Sequence, residues 1–441
     1  MSPSPTTAII LAAGLGTRMR SKLPKVLHQA GGAALIAHVV ETALEITTPD
    51  RVIAVVGHQA GRVRECVASN GIQFALQTEP NGTGHALAVC AGIEGVSDGR
   101  VVVLYGDVPL LRVETIRELM RRQADSGCAA VVLTARVDNP HGYGRIVRDA
   151  AGHISAIVEE KAASAEQRAI QEINSGIYCF DAPLLWQQLA GLKPNPASGE
   201  IYLTDIVESL RTAGHATAAY LMDDPREILG INTRVELAAV DRIFRERKTT
   251  ELMLAGVTIE RPESVMIDRH VTVGQDTLIG PEVQLRGRTQ IGSGCAIGQG
   301  AILNDAVIHD DAIVFPYTLI DTSTLGKDAH AGPFARLRMH TELGPKAHVG
   351  NFVELKNTHL GAGTITCNYD GVKKHRTNIG DGSFIGSNST LVAPIDVASG
   401  SYVAAGSVIT KPVPADALAI GRAHQFVKEG WAKKRREESG K

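Results

Sequence analysis

The stretch Val273–Leu303, "VGQDTLIGPEVQLRGRTQIGSGCAIGQGAIL", decides the fold of the second half of the chain. Its aliphatic residues recur every six positions, and a glycine often follows them. A period of six is neither that of an α-helix nor the alternation of a simple strand, and it is typical of the hexapeptide repeat of a parallel β-helix. Three units make one coil, so we expect each aliphatic side chain to point inward at a corner of a triangular prism.

The same period continues almost to the end of the chain, which predicts a left-handed parallel β-helix over residues 256–425. A basic tail containing "KKRRE" follows at 426–441. Because such a prism has exposed edges and flat faces, we expect it to trimerise, and a purely structural domain remains one reading of the repeat alone. The inward positions are Val273, Ile279, Leu285, Ile291, Ile297, Leu303, Ile308, Val314, Ile320, Leu325, Ala331, Leu337, Leu343, Val349, Leu355, Leu360, Thr366, Ile379, Ile385, Leu391, Val397, Val403 and Ile409.

The first half has a different pattern, in which short β-rich runs alternate with amphipathic helical segments. The runs "TTAIILAA", "RVIAVVG", "QFALQT", "RVVVLYGD" and "AAVVLTARV" predict the strands of a mostly parallel sheet. We therefore assign residues 1–232 to an α/β domain and 233–255 to a helical linker. Ligands of such a domain bind at the carboxyl ends of its strands.

Composition favours a cytoplasmic protein without a nucleic-acid partner. The 441 residues carry 45 basic and 47 acidic side chains, so no global field attracts polyanions. The six cysteines form no CxxC pair, which favours reduced thiols over disulfides or a zinc site. No signal peptide and no apolar run long enough to span a bilayer is present in the sequence.

The segment Leu11–Leu27, "LAAGLGTRMRSKLPKVL", follows the first predicted strand. Gly14 and Gly16 permit a tight turn and a close backbone approach to a phosphate, while Arg18 and Lys25 supply cationic charge. A Gly-x-Gly turn alone is weak and also suits an ordinary βα connection. The additional residues "TRM" and "LPK" make the segment more specific.

The sequence resembles the sugar-1-phosphate nucleotidyltransferases. More closely, it is similar to the bifunctional N-acetylglucosamine-1-phosphate uridyltransferase/glucosamine-1-phosphate acetyltransferase family, from about Ala8 to Trp431. The segments that carry this resemblance are "LAAGLGTRM", "LQTEPNGTGHA", "LYGDVPL", "NPHGYGRI", "EINSGIY", "GEIYLTDI", "GINTRVEL", "GPFARLR", "AHVGNFVE", "TITCNYDG" and "KEGW".

The resemblance implies a Rossmann-like domain that transfers UMP from UTP to N-acetylglucosamine-1-phosphate, with Mg²⁺ as cofactor. In the cell, this reaction would supply precursors of peptidoglycan and lipopolysaccharide. Arg18 and Lys25 match catalytic positions, and Asp107 and Asn232 match metal ligands. The UTP- and sugar-binding positions match Leu11, Ala12, Ala13, Gly14, Lys25, Gln77, Gly82, Thr83, Tyr105, Gly106, Asp107, Gly144, Glu159, Asn174 and Asn232.

The resemblance also implies an acetyl-CoA-dependent acetyltransferase in the β-helix. Arg338 and Lys356 match sugar-phosphate positions, whereas Asn368 and Tyr369 match positions near the reacting amine. Ala362, Ser387, Ala405 and Arg422 match the acetyl-CoA site.

One departure from the family pattern concerns the general base of acetyl transfer. The family has a "GHL.Y" segment between "VGNFVE.K" and "GAGTITCNYDG", but here Lys356 reaches Gly361 across "NTHL" alone. About twenty-odd residues are missing, which corresponds to roughly four hexapeptide units. Since three units make a coil, removal of four would rotate everything after Leu360 by one face, unless a local bulge restores the phase.

No other histidine is a good replacement for the missing base. His359 is expected in an exposed turn, His348 matches an ordinary family residue, and His375 lies in an inserted loop. We therefore expect uridylyl transfer with absent or impaired acetyl transfer. The alternatives are a fully bifunctional enzyme and a catalytically silent trimeric scaffold, although a scaffold has no need of Lys25 and Asp107.

Overall fold

The computed structural model describes residues 4–150, 152–195, 199–361, 363–367, 369–373, 375–380 and 382–438. The chain forms two compact units, Met1–Phe244 and Arg245–Lys441. Within the described residues, every helix is too short or too polar to cross a lipid bilayer. All six cysteines are free thiols, as their spacing predicted.

The first unit is built on a mixed sheet with the order β11-β7-β10-β6-β1-β4-β5, and β8 and β9 extend it beside β10. Strand β10 runs antiparallel to β6 and β7, while the pairs β6–β1, β1–β4, β4–β5 and β11–β7 are parallel. The predicted, mostly parallel sheet is therefore confirmed. The strands are β1 Thr6–Leu11, β2 Gln29–Ala30, β3 Ala33–Ala34, β4 Val52–Val56, β5 Gln73–Leu76, β6 Arg100–Tyr105, β7 Ala130–Arg136, β8 Arg145–Arg148, β9 Ile154–Val158, β10 Glu172–Asp181 and β11 Thr217–Leu221.

Helices connect these strands and cover the sheet, whose central strands β1 and β4 are fully buried because they carry apolar residues on both faces. The helices of the first unit are α1 Leu35–Leu44, α2 Ala60–Cys66, α3 Thr83–Ala88, α4 Val113–Ser126, α5 Ala165–Arg168, α6 Ala182–Leu189 and α7 Asp205–Thr212. Helix α8, Arg234–Leu254, spans the boundary between the two units, and α9, Trp431–Glu438, belongs to the second unit. Helix α8 occupies most of the predicted linker, and α9 lies in the predicted basic tail.

The second unit is a left-handed parallel β-helix with three faces, as the hexapeptide period predicted. The first face contains Thr258–Ile259, Leu278–Ile279, Ala296–Ile297, Ile313–Val314, His330–Ala331, His348–Val349, Ile365–Cys367, Thr390–Val392 and Val408–Ile409. The second contains Met266–Ile267, Gln284–Arg286, Ile302–Asn304, Leu319–Asp321, Arg336–Arg338, Glu354–Lys356, Thr377–Ile379 and Ile395–Val397. The third contains Thr272–Val273, Gln290–Ile291, Val307–Ile308, Thr324–Leu325, Glu342–Leu343, His359–Leu360, Phe384–Ile385, Tyr402–Val403 and Leu418–Ala419.

The periodic side chains do point inward, but the structure places them within strands rather than at corners. Leu285, Leu343 and Leu391 are each at most 2% exposed, whereas Val273 near the start of the array is only partly buried. The corners instead hold turn residues, several with positive φ, such as Tyr317 and Phe334. Each strand forms hydrogen bonds with the equivalent strands of the coils before and after it. Its inward residue therefore stacks on the equivalent residue one coil away.

The short connection after Lys356 leaves the strand stack continuous. On the third face Leu343 pairs with Leu360, and Leu360 pairs with Ile385, while on the first face His348 pairs with Ile365. Successive strands therefore pass from second to third to first face across the junction.

The predicted rotation by one face relative to the family pattern stays a prediction, because this order of faces holds along any β-helix, but the coils of this chain do vary in length. Leu325, Leu343, Leu360 and Ile385 occupy the same position in successive coils, at intervals of 18, 17 and 25 residues. The longest interval contains the "CNYDG" loop. The spacing between equivalent residues is therefore set by the pairing of the strands, and extra residues form a loop outside the coil.

Candidate functional site

A cleft of about 390 Å³ opens at the carboxyl ends of β1 and β6, the edge at which the parallel sheet predicted a ligand site. It brings together residues from separate parts of the first half of the sequence. The cleft is lined by Leu11, Ala13, Gly14, Lys25, Gln77, Pro80, Gly82, Thr83, Ala86, Tyr105, Asp107, Glu200, Tyr202 and Asn232.

The charged centre of the cleft is formed by Lys25, Asp107 and Asn232. Lys25 Nζ donates to Asp107 Oδ2 at 2.5 Å and to Asn232 Oδ1 at 3.2 Å. Asp107 follows β6, and its carbonyl accepts from the backbone N–H of Ile231, which brings Asn232 alongside. One ammonium and two convergent oxygens therefore occupy the end of the sheet.

Arg18 is exposed and donates from Nη2 to Asn232 Oδ1 at 2.8 Å. The turn that precedes Arg18 depends on Gly16. Its φ is +62°, and an added Cβ at this glycine would lie 2.6 Å from the Cβ of Lys25. A side chain at Gly16 would therefore displace Lys25. A Cβ at Gly14, by contrast, would meet no protein atom within 4 Å, so this glycine leaves open space beside the cleft.

Ala12 and Gly106 lie in the turns that follow β1 and β6, next to the cleft. The N–H of Ala12 donates to Val55, and the N–H of Gly106 donates to the carbonyl of Leu11, so both turns are tied to neighbouring strands. An added Cβ at Gly106 would lie 3.1 Å from the Cβ of Ala12, which leaves little room for a larger residue at this position.

Another side of the cleft contains Gln77, Gly82 and Thr83. Gln77 is 7% exposed and donates from Nε2 to the carbonyl of Gly82 at 3.2 Å. Gly82 has φ of +97°, and its added Cβ would lie 2.4 Å from the carbonyl oxygen of Ile201. Only glycine fits this close approach.

Gly144, Glu159 and Asn174 form a second group. The N–H of Asn174 donates to the carbonyl of Gly144, and an added Cβ on Gly144 would lie 3.5 Å from Glu159 Oε1. Asn174 Nδ2 also donates to the Tyr178 hydroxyl at 2.8 Å. The Glu159 carboxylate acts electrostatically on Tyr105, which lines the cleft, so this group adjoins the charged centre.

Burial shifts the pKa values of the acidic groups on this side. Burial, and then the charge of Asp205, raises the pKa of Glu159 above that of an ordinary carboxyl. Burial, with the Asp107 and Glu159 charges, raises the pKa of Tyr105 well above its usual range. Tyr105 is therefore a neutral hydroxyl at neutral pH.

The sequence analysis missed Pro80, Ala86, Glu200 and Tyr202 as cleft residues. These four residues lie in "TEPNGTGHA" and "GEIYLTDI", two of the segments that carry the family resemblance, so the resemblance could have pointed to them. The structure explains their proximity, because the N–H of Ile201 donates to the carbonyl of Asn81 and the N–H of Gly84 donates to that of Ile201.

In the β-helix, Arg338 and Lys356 occupy paired positions on adjacent strands of the second face. Arg338 Nε lies 2.7 Å from Glu354 Oε1, so its charge is already partly compensated. Ser387, Ala405 and Arg422 each follow a strand of the third face, and Arg422 Nη1 donates to the carbonyl of Ala405 at 2.5 Å.

Ala362 and Asn368 lie outside the described residues. Their neighbours are described: an added Cβ on Gly361 would lie 2.5 Å from the N of Ser387, and the Tyr369 hydroxyl donates to the carbonyl of Gly371. Tyr369 is 60% exposed.

The three histidines near the junction are already engaged. His359 lies on a strand of the third face, where Nδ1 is 3.3 Å from Glu342 Oε2 and the ring stacks on Phe384. It is therefore not in the turn that the sequence analysis predicted.

His348 lies on the first face with its ring against His330, and burial followed by the His330 charge lowers the pKa of His348. His375 Nε2 lies 2.6 Å from Asp370 Oδ2 in the loop after "CNYD". Across the described residues, no group of three or more His, Cys, Asp or Glu side chains is arranged to hold a metal ion.

Three family models match parts of both halves of the chain. The MobA-like NTP transferase domain matches residues 8–175, the GMPPB C-terminal domain matches 261–365, and the hexapeptide repeat of succinyl-transferase matches 376–411. A solved Bacillus anthracis chain named for glucose-1-phosphate thymidylyltransferase covers 54% of this chain and 95% of its own, at 25% identity and a TM-score of 0.44.

Relatives with high identity extend over the whole chain. The bifunctional protein GlmU of Solibacter usitatus is 51% identical over 457 aligned positions, which cover 98% of each chain. The bifunctional protein GlmU of Koribacter versatilis is 44% identical over 459 positions, covering 98% of this chain and 97% of its own. Both alignments are longer than the 441 residues of this chain, so each relative contains residues without a counterpart here. The chain therefore belongs to the GlmU family of bifunctional enzymes, which combine N-acetylglucosamine-1-phosphate uridylyltransferase and glucosamine-1-phosphate acetyltransferase domains.

Proposed function

We propose that this protein makes UDP-N-acetylglucosamine by transferring UMP from UTP to N-acetylglucosamine-1-phosphate. The observation that carries the proposal is the contact of Lys25 Nζ with both Asp107 Oδ2 and Asn232 Oδ1 at the open end of the sheet. The ammonium group can bind the phosphates of a nucleoside triphosphate, and the two oxygens can bind the metal ion that accompanies them.

The proposed chemistry is a direct displacement. A phosphate oxygen of the sugar phosphate attacks the α-phosphorus of UTP, the bond from that phosphorus to the bridging oxygen breaks, and pyrophosphate leaves with the electron pair. Such a reaction needs positioning and charge neutralisation but no covalent intermediate on the protein. Lys25 and Arg18 neutralise the charge that develops on the phosphoryl oxygens.

Asp107 and Asn232 are the residues that would hold Mg²⁺. Their oxygens already converge on one cation, the Lys25 ammonium, and hard oxygen ligands are those that Mg²⁺ prefers. Because Mg²⁺ commonly uses few protein ligands together with substrate phosphates, one carboxylate and one amide are sufficient here. The ion would neutralise phosphate charge.

The sugar is assigned to the group formed by Gly144, Glu159 and Asn174. The lack of a side chain on Gly144 leaves room beside Glu159, and the Asn174 amide and Glu159 carboxyl suit hydroxyl and acetamido groups. Burial raises the pKa of Glu159, and its carboxyl oxygens can accept hydrogen bonds from the hydroxyl groups of the sugar.

The test is pyrophosphate release by the full-length protein with UTP and a panel of sugar phosphates. We expect N-acetylglucosamine-1-phosphate to support release, glucosamine-1-phosphate and glucose-1-phosphate to be poor, and EDTA to abolish the reaction. Absence of release with every sugar phosphate would instead support the silent scaffold. A preference for another sugar phosphate would overturn the substrate assignment.

We further propose that acetyl transfer to glucosamine-1-phosphate is absent or severely impaired. His348, His359 and His375 are each engaged elsewhere, and Arg338 is paired with Glu354. Without a base near the amine, the amine must lose its proton to water. CoA release from acetyl-CoA, measured on the preparation used for pyrophosphate release, tests this.

Robust CoA release would support the fully bifunctional alternative. In that event His375→Ala is the first variant to examine, because His375 lies in the loop that follows Tyr369, which matches a position near the reacting amine. Unchanged acetyl transfer by this variant would exclude His375 as the base.

A further inference from the structure

The buried amide of Gln77 has a determined orientation in this structure. Its Nε2 contacts two groups, the carbonyl oxygen of Gly82 at 3.2 Å and His85 Nδ1 at 3.1 Å. A carbonyl oxygen can only accept, so the amide atom that faces Gly82 must be the nitrogen. Because that nitrogen has two hydrogens and no available lone pair, His85 Nδ1 must then be the acceptor of the second hydrogen.

This arrangement uses both donors of Gln77 and leaves only its acceptor for a ligand. Within the described part of the chain, Gln77 Oε1 has no hydrogen-bond partner, and Gln77 lines the cleft beside Gly82. The amide would otherwise be free to turn over and present its nitrogen. His85 lies in the first turn of α3, Thr83–Ala88, and thus holds the amide from a rigid element.

The orientation selects between nucleobases. Uracil carries a hydrogen on N3, which an acceptor can bind, whereas cytosine has a lone pair at the same position. A fixed Oε1 therefore favours uracil and repels cytosine, but a freely rotating glutamine amide can serve either base.

We infer that His85 is a positioning residue that locks the Gln77 amide so that its Oε1 accepts from the N3–H of an imide base. The inference rests on the proposed function, since it concerns the nucleotide of that same cleft. It assigns base selectivity to a side chain that itself need not touch the nucleotide.

The test compares full-length wild type with His85→Leu and His85→Asn. Leucine removes the acceptor and keeps the bulk, whereas the Oδ1 of asparagine can take the place of Nδ1. For each protein, kcat/KM is measured with UTP, CTP and 3-methyl-UTP, which lacks the N3 hydrogen. We expect His85→Leu to lower the UTP/CTP ratio by about tenfold, the size of effect that a single buried hydrogen bond supports, mainly through KM.

We expect His85→Asn to keep the wild-type UTP/CTP ratio within about threefold, since the acceptor is retained. The preference for UTP over 3-methyl-UTP should fall in His85→Leu and persist in His85→Asn. A purely structural role for His85 would lower kcat with all three nucleotides and leave the ratios unchanged. Such a result, or equal loss of selectivity in both variants, would overturn the inference.

Two further measurements separate this inference from its premises. If wild type releases no pyrophosphate, the proposed function fails, and equilibrium binding of UTP and CTP to the same variants then decides the role of His85. If His85→Leu does not fold, as judged by circular dichroism, His85→Ala takes its place in the comparison.

Discussion

The Lys25 ammonium contacts Asp107 and Asn232, the two residues that we propose as Mg²⁺ ligands. In the structure its Nζ lies 2.5 Å from Asp107 Oδ2 and 3.2 Å from Asn232 Oδ1, and both charged side chains are about 15% exposed. The proposed reaction thus has its cation in place before the phosphates arrive. Arg18 is more exposed and touches only Asn232 in this group, so Lys25 is the better placed of the two predicted catalytic residues.

Lys25→Ala should reduce pyrophosphate release strongly while leaving the fold intact. Loss of a group that stabilises charge in a transition state typically costs about 10²–10³ in kcat. Steady-state kinetics and thermal unfolding should be measured on the same preparation. Lys22→Ala is the matched control, because Lys22 is exposed and lies outside the cleft. Near-wild-type turnover by Lys25→Ala would contradict the role given to Lys25.

Glu159→Gln should stabilise the folded protein at neutral pH. Burial and Asp205 raise the pKa of Glu159 above its ordinary value of 4.5, so the folded state holds this proton more tightly than the unfolded chain. As the pH rises from 4.5 through the folded pKa, ionisation of Glu159 therefore lowers the free energy of unfolding. Urea unfolding of wild type and variant across pH measures the gain, which should disappear as the pH falls below 4.5.

Glu160→Gln is the control with the opposite sign. Hydrogen bonding from Arg145 lowers the pKa of Glu160, so its ionised form contributes stability at neutral pH that is lost on acidification. We expect Glu160→Gln to unfold at lower urea concentration than wild type. If both variants shift the urea concentration of unfolding in the same direction, the raised pKa of Glu159 does not account for the stability of Glu159→Gln.

Among the elements, the third face of the β-helix shows most directly how the shortened chain remains folded. Leu343, Leu360 and Ile385 stack in register across the junction, although the intervals between them are 17 and 25 residues. The number of residues in a coil can vary because additional residues form a loop that projects from the β-helix. The inward side chain of each strand is the constant feature.

Leu360→Ala should destabilise the β-helix by about 2–5 kcal/mol, as expected for a large-to-small change in a packed core. Leu360 is fully buried between Leu343 and Ile385, so its truncation leaves a cavity at the junction. Leu418→Ala is the matched control on the same face, since Leu418 is 66% exposed and should change stability by about 0.5 kcal/mol or less. Chemical unfolding curves for both variants measure the difference, and equal effects would indicate that the junction coil is not packed as described.

For the molecule as a whole, we propose that the chain assembles as a trimer. Apolar side chains that point outward on the first face are substantially exposed, among them Leu278, Ile365 and Val408 at 40–52%. Such a surface favours association with further copies of the chain. Light scattering coupled to gel filtration should give three times the chain mass of 46.8 kDa. A mass of one chain at micromolar concentration would contradict the proposal.

Much of this protein could be predicted from the sequence. The six-residue period determined the β-helix and nearly every inward residue, because each unit repeats the same local packing requirement. The buried β-rich runs likewise determined a mostly parallel sheet with its ligand edge at the carboxyl ends. The motif around Lys25 and Asp107 pointed to nucleotide chemistry before any contact was known.

Only the tertiary structure decided which distant side chains meet. Spacing along the chain did not predict that Lys25 would bond to both Asp107 and Asn232, or that Tyr202 would line the same cleft, because these contacts depend on how separate loops pack at the sheet edge. The stacking of Leu343, Leu360 and Ile385 across the junction also required the structure. A coil is defined by the pairing of its strands and not by its number of residues, so the six-residue count did not give the length of each coil.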